Sequence, residues 1–309
     1  LQGCDQLQKK TIYTHIESAK RRTLLLMFLF VLLVSAFVEV IALALGLGYE
    51  AGIIALMLSG LFVLGSYYAS AGLILAMSGA KPIAEADSKE LYRTVENLCI
   101  GSGLPMPKIY IINDTALNAF ATGRDPRHAS IAVTRGLLQK LNKLELEGVI
   151  AHELSHIGNY DTRLMMVTVV LVGLIALLAD VFLRFTWFGA GRRSSNRGRG
   201  EGMGGAIILL IALVMAVLAP ISAQLIRLAI SRRREYLADA SGALLTRYPE
   251  GLASALEKIS RDNEPLEVAN KATASLFIAN PLKGHESALN NLFSTHPPIE
   301  KRVAALRSM

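Results

Sequence analysis

Apolar residues fall into four long runs, near 24–46, 52–77, 164–188 and 205–230. A helix needs about 20 such residues to cross a bilayer, so each run is long enough. The first two are joined through GLGYEAG at 46–52, a connection without Lys or Arg. Lys9, Lys10, Lys20, Arg21 and Arg22 precede the first run. Basic flanks stay on the cytoplasmic side, so the N-terminal segment is expected inside and the hairpin returns the chain there. Residues 79–163 are then cytoplasmic too. Glu39 in the first run and Asp180 in the third are carboxylates within apolar sequence. Such residues are functional candidates, or polar side chains facing another helix or lying near a helix end.

Between 79 and 163 the pattern changes to mixed α/β. EADSKELYRTVENLCIGSG (85–103) has apolar residues at helical spacing and ends in glycines. PKIYIIND (107–114), LNAFATG (117–123) and SIAVTRGLL (130–138) are short strand-like runs separated by turn residues. LNKLELEGVIAHELSHIGNYD (141–161) reads as one helix running toward the third apolar stretch. After 231 the pattern is mostly helical, broken at YPEG, NEP, NPLKG and THPP. The chain thus divides into a cytoplasmic segment (1–23), a transmembrane hairpin (24–78), a first cytoplasmic part (79–163), a second hydrophobic hairpin (164–230) and a second cytoplasmic part (231–309). GRRSSNRGRGEGMGG at 191–205, inside the second hairpin, reads as a flexible basic loop. The length of both runs, each above 20 residues, favours two full crossings; these would place Arg192, Arg193, Arg197 and Arg199 outside, against the charge rule, whereas a re-entrant or surface pair would not.

Composition fits a membrane protein: 52% hydrophobic and 18% charged residues over 309, with a mean hydropathy of +0.41. The net charge of +7 suits cytoplasmic flanks better than nucleic-acid binding, because no basic–aromatic motif accompanies it. Two cysteines, Cys4 and Cys99, cannot build a disulfide framework or a Cys-rich metal site. Cys99 sits in an apolar helical pattern, as a buried thiol would. LQGC at 1–4 has the letters of a lipoprotein cleavage box with no apolar region before it, so lipidation of Cys4 is not expected.

The chemistry concentrates in AHELSH, 151–156. Residues four apart share a helix face, so His152 and His156 can point at one ion. Zinc accepts imidazole nitrogen and, in catalytic sites, keeps one position open for water. Glu153 stands where its carboxylate can take a proton from that water and pass it to a leaving amine. With 6 His in 309 residues, chance alone produces the pattern in roughly one chain in a hundred. A third ligand is needed from another helix. SRRREYLADASG (231–242) offers Glu235 and Asp239, again four apart. Glu235 as ligand and Asp239 as acceptor for a ligand imidazole is one division; two surface charges on a basic helix is the other, and spacing alone does not choose.

KRRT at 20–23, NAFATG at 118–123, GLL at 136–138, ELEGVIAHELSHIGNYD at 145–161, SRRREYLADA at 231–240, LFIANPL at 276–282 and FSTHPPIEKR at 293–302 form a more specific set. Carrying these pieces, the chain resembles the M48 family of zinc metallopeptidases. LFIANPL and the four-run layout favour its bacterial membrane-protease branch over the prenyl-protein branch, which has more spans. The resemblance implies an α-helical membrane protein with a mainly helical, zincin-like metalloprotease domain carrying a small β-sheet. It implies one Zn2+ per chain on His152, His156 and Glu235, with Glu153 as general base and Asp239 in support. His296 would stabilise the tetrahedral intermediate, and Arg302 would anchor that segment. NAFATG would be an edge strand that pairs with an extended substrate, Asn118 and Ala119 touching it. His128 and His285 match no ligand position and are expected at the surface.

The resemblance further implies a multi-pass protein of the bacterial inner membrane with its active site facing the cytoplasm. Its expected substrates are proteins or peptides, chiefly misfolded or damaged membrane proteins; other membrane proteases are candidate partners. A narrow-specificity processing protease is the alternative. A non-catalytic, zinc-stabilised scaffold is a third reading, but it would need a fourth protein ligand and no base.

Overall fold

The computed structural model describes residues 12–44, 50–173, 175, 232–262, 264–267, 273, 276–279 and 297–309. Cys4, Asp180, His285, His296, the 191–205 loop and most of the second apolar hairpin lie outside the described residues. The first two apolar runs form long helices, α1 (Ile12–Ala44) and α2 (Glu50–Met77), packed side by side. Leu24, Phe28, Met57 and Leu61 are all more than half exposed on them. Burying one such side chain is worth roughly 1.5–3 kcal/mol, so this surface is poorly suited to water. Among the described residues, one helical stretch, Gly52–Met77, is long and apolar enough to cross a membrane by length and composition. Ser35 and Ser59 bond across the helix pair at 3.1 Å. Glu39 lies directly over Gly52, its Oε2 buried without a partner among the described residues.

After α2 the chain builds a small mixed sheet. Strand β1 (Ala80–Pro82) runs antiparallel to β2 (Lys108–Ile112). Helix α3 (Lys89–Ser102) lies between them in sequence and buries Leu91, Val95 and Leu98. Strand β3 (Ala119–Gly123) is antiparallel to β4 (Ala129–Thr134), and β4 is parallel to β2, giving the order β1-β2-β4-β3. β3 is therefore an edge strand, yet every one of its residues is buried.

Two elements differ from the pattern of the sequence. GLL of the SIAVTRGLL run is helix, not strand, because Thr134 ends β4. Its hydroxyl accepts from the Leu137 amide and caps a short helix, α4 (Arg135–Lys140). The long helix expected over 141–161 is α5 (Lys143–Gly158). It starts at a reciprocal cap: Asn142 Oδ1 accepts from Glu145 N at 3.0 Å and Glu145 Oε2 from Asn142 N at 2.8 Å. It stops because Tyr160 turns left-handed (φ 60°). The chain is helical again over 161–173.

Helices α6 (Arg232–Thr246), α7 (Pro249–Arg261) and α8 (Ile299–Arg307) complete the described fold. α6 and α7 both pack on α5, and α8 packs on α7. The molecule is mostly helical around the small sheet. Two glycines set the helix spacing. At Gly148 a Cβ would lie 2.6 Å from the Leu252 amide nitrogen, so α5 and α7 cross backbone to backbone. At Gly242 it would lie 3.0 Å from His152 N, which lets α6 approach the motif helix. Leu146, Val149, Ile150, Leu154 and Ile157 anchor α5 in one core with residues of β3, β4, α3 and α7.

Candidate active site

The motif helix is buried along most of its length, and His152, Glu153 and His156 are all buried in it. α6 crosses it with Glu235 and Asp239 turned inward, also buried. Burial excludes the surface-charge reading of those two residues. The ring nitrogens His152 Nε2 and His156 Nε2 are 3.1 Å apart. Glu235 Oε2 lies 3.9 Å from His152 Nε2 and Glu235 Oε1 lies 3.6 Å from His156 Nε2.

Zinc bonds of about 2.0–2.2 Å in tetrahedral geometry put ligand atoms about 3.3 Å apart. The three separations bracket that value, and two imidazoles with one carboxylate leave a fourth position for water. His152, His156 and Glu235 therefore fit one zinc ion in both donor chemistry and spacing.

Each ring's other nitrogen faces a carboxylate. His156 Nδ1 bonds Asp161 Oδ2 at 3.1 Å. His152 Nδ1 is 2.9 Å from Asp239 Oδ1, close but not in line for a hydrogen bond. Such partners fix which ring nitrogen is free for a metal. Asp161 was not singled out in the sequence. It lies five positions after His156, off the helix face; the left-handed Tyr160 brings it back. A polar residue just after Gly-Asn-Tyr at a helix end was the available signal.

Arg302, wholly buried, joins the second carboxylate to the rest. Its Nε and Nη2 donate to Asp239 Oδ2 and Oδ1 at 2.8 and 2.7 Å, a two-pronged pair. Its Nη1 donates to the Ile278 carbonyl at 3.1 Å and lies 3.6 Å from Glu235 Oε2. THPP leads into α8, so Arg302 ties that end of the chain to the site.

Electrostatics separate the groups by role. Burial pushes Glu153 up to about 7, the range of a general base at neutral pH, with nearby Glu235 adding to the rise. Burial pulls His152 down to about 4. Burial would pull His156 down as well, but the bond to Asp161 and the charges of Glu235 and Asp161 outweigh it and hold the ring at about 9. Burial would raise Asp239, but Arg302 and His152 hold it at about 2.

Asn118 and Ala119 lie at the start of β3, both buried. The motif helix packs against β3, and the Ala121 backbone further along that strand lies near enough to Glu153 to favour its charged form. His128 is half exposed, with Nδ1 2.8 Å from Asp125 Oδ1 at a 3-10 turn, and takes no part in the cluster. Cys99 is a buried thiol pushed up to about 11 by burial.

Known proteins agree with this chemistry. The model of Peptidase family M48 matches residues 85–309. "Protease HtpX homolog" of Dictyoglomus thermophilum is 47% identical over 302 residues, covering 97% of this chain and 95% of that protein. Namesakes from Tropheryma whipplei and Lactobacillus helveticus are 44% and 43% identical, each covering 96% of this chain. The crystal structure of S. mikatae Ste24p aligns with a TM-score of 0.42 at 22% identity, over 78% of this chain and 58% of that one. The family match over most of the chain and the near-full-length relatives make the chain a member of peptidase family M48, a family of zinc metalloendopeptidases.

Proposed function

We propose that the chain is a membrane-integrated endopeptidase, facing the cytoplasm, that removes misfolded or damaged membrane proteins. The observation that carries the catalytic reading is Glu153: a buried carboxylate held near neutral pKa beside three metal-fitting residues. One ion per chain would be held by His152, His156 and Glu235. Bound zinc supplies an acidified water and polarises the scissile carbonyl. Glu153 takes the proton as the water oxygen joins the carbonyl carbon, then delivers it to the amine nitrogen as the C–N bond breaks. Asp161, bonded to His156 Nδ1, holds that imidazole in the tautomer that leaves Nε2 free, and the charge of Asp239, 2.9 Å from His152 Nδ1, favours the same tautomer there. Arg302 keeps Asp239 charged and in place. His296 donates to the developing oxyanion. β3 carries the substrate as an added strand through Asn118 and Ala119.

Support for the membrane setting is the apolar surface of α1 and α2 and the basic residues that precede it. A bilayer of the bacterial inner membrane would cover that surface. The test reconstitutes the zinc-loaded chain in vesicles with one membrane protein, either folded or heat-damaged. Faster cleavage of the damaged form, at many bonds, supports quality control. Equal rates, or a single cut in both, would favour the narrow processing reading.

A further inference from the structure

β3 is an edge strand whose outer side is already occupied. Thr134 N donates to Asn118 O at 3.0 Å across to β4. In an antiparallel ladder the alternate residues, Ala119, Ala121 and Gly123, then turn their backbone groups away from β4. A substrate strand would use those groups. Ala119 O instead accepts from the Ile278 amide at 3.0 Å. Asn118 Nδ2 donates to Ala279 O at 3.2 Å. Phe277 stacks edge-on against Phe120 with ring centroids 5.0 Å apart, and Leu276, Phe277, Ile278 and Ala279 are all buried. Arg302 Nη1 holds the Ile278 carbonyl.

We propose that residues 276–279 stand in for substrate: they take the backbone position on β3 that an incoming peptide strand needs, so that this conformation is self-occluded and substrate must displace them. The inference rests on the reading of β3 as the substrate-pairing strand. It follows from the bonds themselves. The Ile278 amide satisfies the outward-facing carbonyl of Ala119, and the Ala279 carbonyl satisfies the side-chain amide of Asn118, whose own backbone pairs with Thr134. Strand addition at Ala119 needs the place that the Ile278 amide takes, and the segment and a substrate strand cannot both lie there. Arg302 links the device to the metal cluster, because the guanidinium that holds Ile278 also holds Asp239, which faces His152. Displacing the segment leaves Arg302 its two bonds to Asp239, so the metal-binding residues stay in place while the edge of β3 is freed.

The test follows backbone hydrogen exchange at the Ile278 amide in the full, zinc-loaded Glu153→Gln chain in detergent. Unfolded casein is added at the concentration that saturates cleavage by the wild type. The proposal expects Ile278 exchange to rise at least tenfold on casein addition, while Ile131 and Val133 of β4 stay protected. Unchanged or slower exchange at Ile278 overturns it. A second arm uses Ile278→Pro, which removes the donor to Ala119. At low casein it should cut at least threefold faster than wild type, with a matching melting temperature. Slower cutting at a matching melting temperature counts against the proposal, and if the variant does not fold, the exchange result decides. If the wild type does not cut casein at all, the broad-specificity reading on which the inference rests has failed. Cutting by wild type with a silent Ile278 removes the occlusion alone.

Discussion

His156 stands between two carboxylates, Asp161 at Nδ1 and Glu235 near Nε2, and they hold its ring at about 9. Metal binding needs the Nε2 lone pair. Below about 9 the ring is protonated and must lose that proton, so zinc affinity should fall as pH falls, by about tenfold per unit. His152, held down at about 4, is neutral over the same range and adds nothing. Chelator-competition titrations between about pH 7.5 and 8.5 should show this slope; a flat profile contradicts it. Asp161→Asn should weaken zinc binding about ten- to a hundredfold while the chain stays folded. Affinity within twofold of wild type would remove Asp161 from the site. Helical spacing of four put His152 with His156 and Glu235 with Asp239 on shared faces and the motif pointed to Glu153, but only the family resemblance gave Glu235 and Asp239 their roles. Asp161 was not legible, because its approach depends on one left-handed residue, a conformation that no periodicity encodes.

At the scale of elements, close crossing of helices decides where the ligands meet. Gly148 shows how tight it is, since a Cβ would strike the Leu252 backbone at 2.6 and 2.8 Å. Gly148→Ala gains up to about 1 kcal/mol in helix propensity. It loses about 1–3 kcal/mol to overpacking, because backbone atoms cannot rotate away. The net prediction is a lower melting temperature in thermal unfolding; a higher one would show that the two helices can part without cost. The helices and the three main strands follow from apolar periodicity and turn residues. The three-residue β1 does not, being too short to carry a pattern. α4 was hidden because Thr134 serves both as the end of a strand and as a cap. The contact of 276–279 with β3 links residues far apart in sequence through backbone groups, which side-chain patterns do not report.

At the scale of the whole molecule, two surfaces must be reconciled. One is the apolar face of α1 and α2, suited to lipid. The other is a fully buried polar cluster between α5 and α6, where charges survive because each is paired: Arg302 with Asp239, Asp161 with His156 and Arg234. The role proposed for Glu153 in that cluster is to move the proton in peptide-bond hydrolysis; without it the metal ligands form only a binding site. The most direct measurement is casein cleavage by the purified chain in detergent with zinc, run beside Glu153→Gln with bound zinc assayed in both. Equal zinc is expected in the two proteins, with cleavage by the variant slower by about 100-fold or more. Equal cleavage rates at equal zinc would contradict that role.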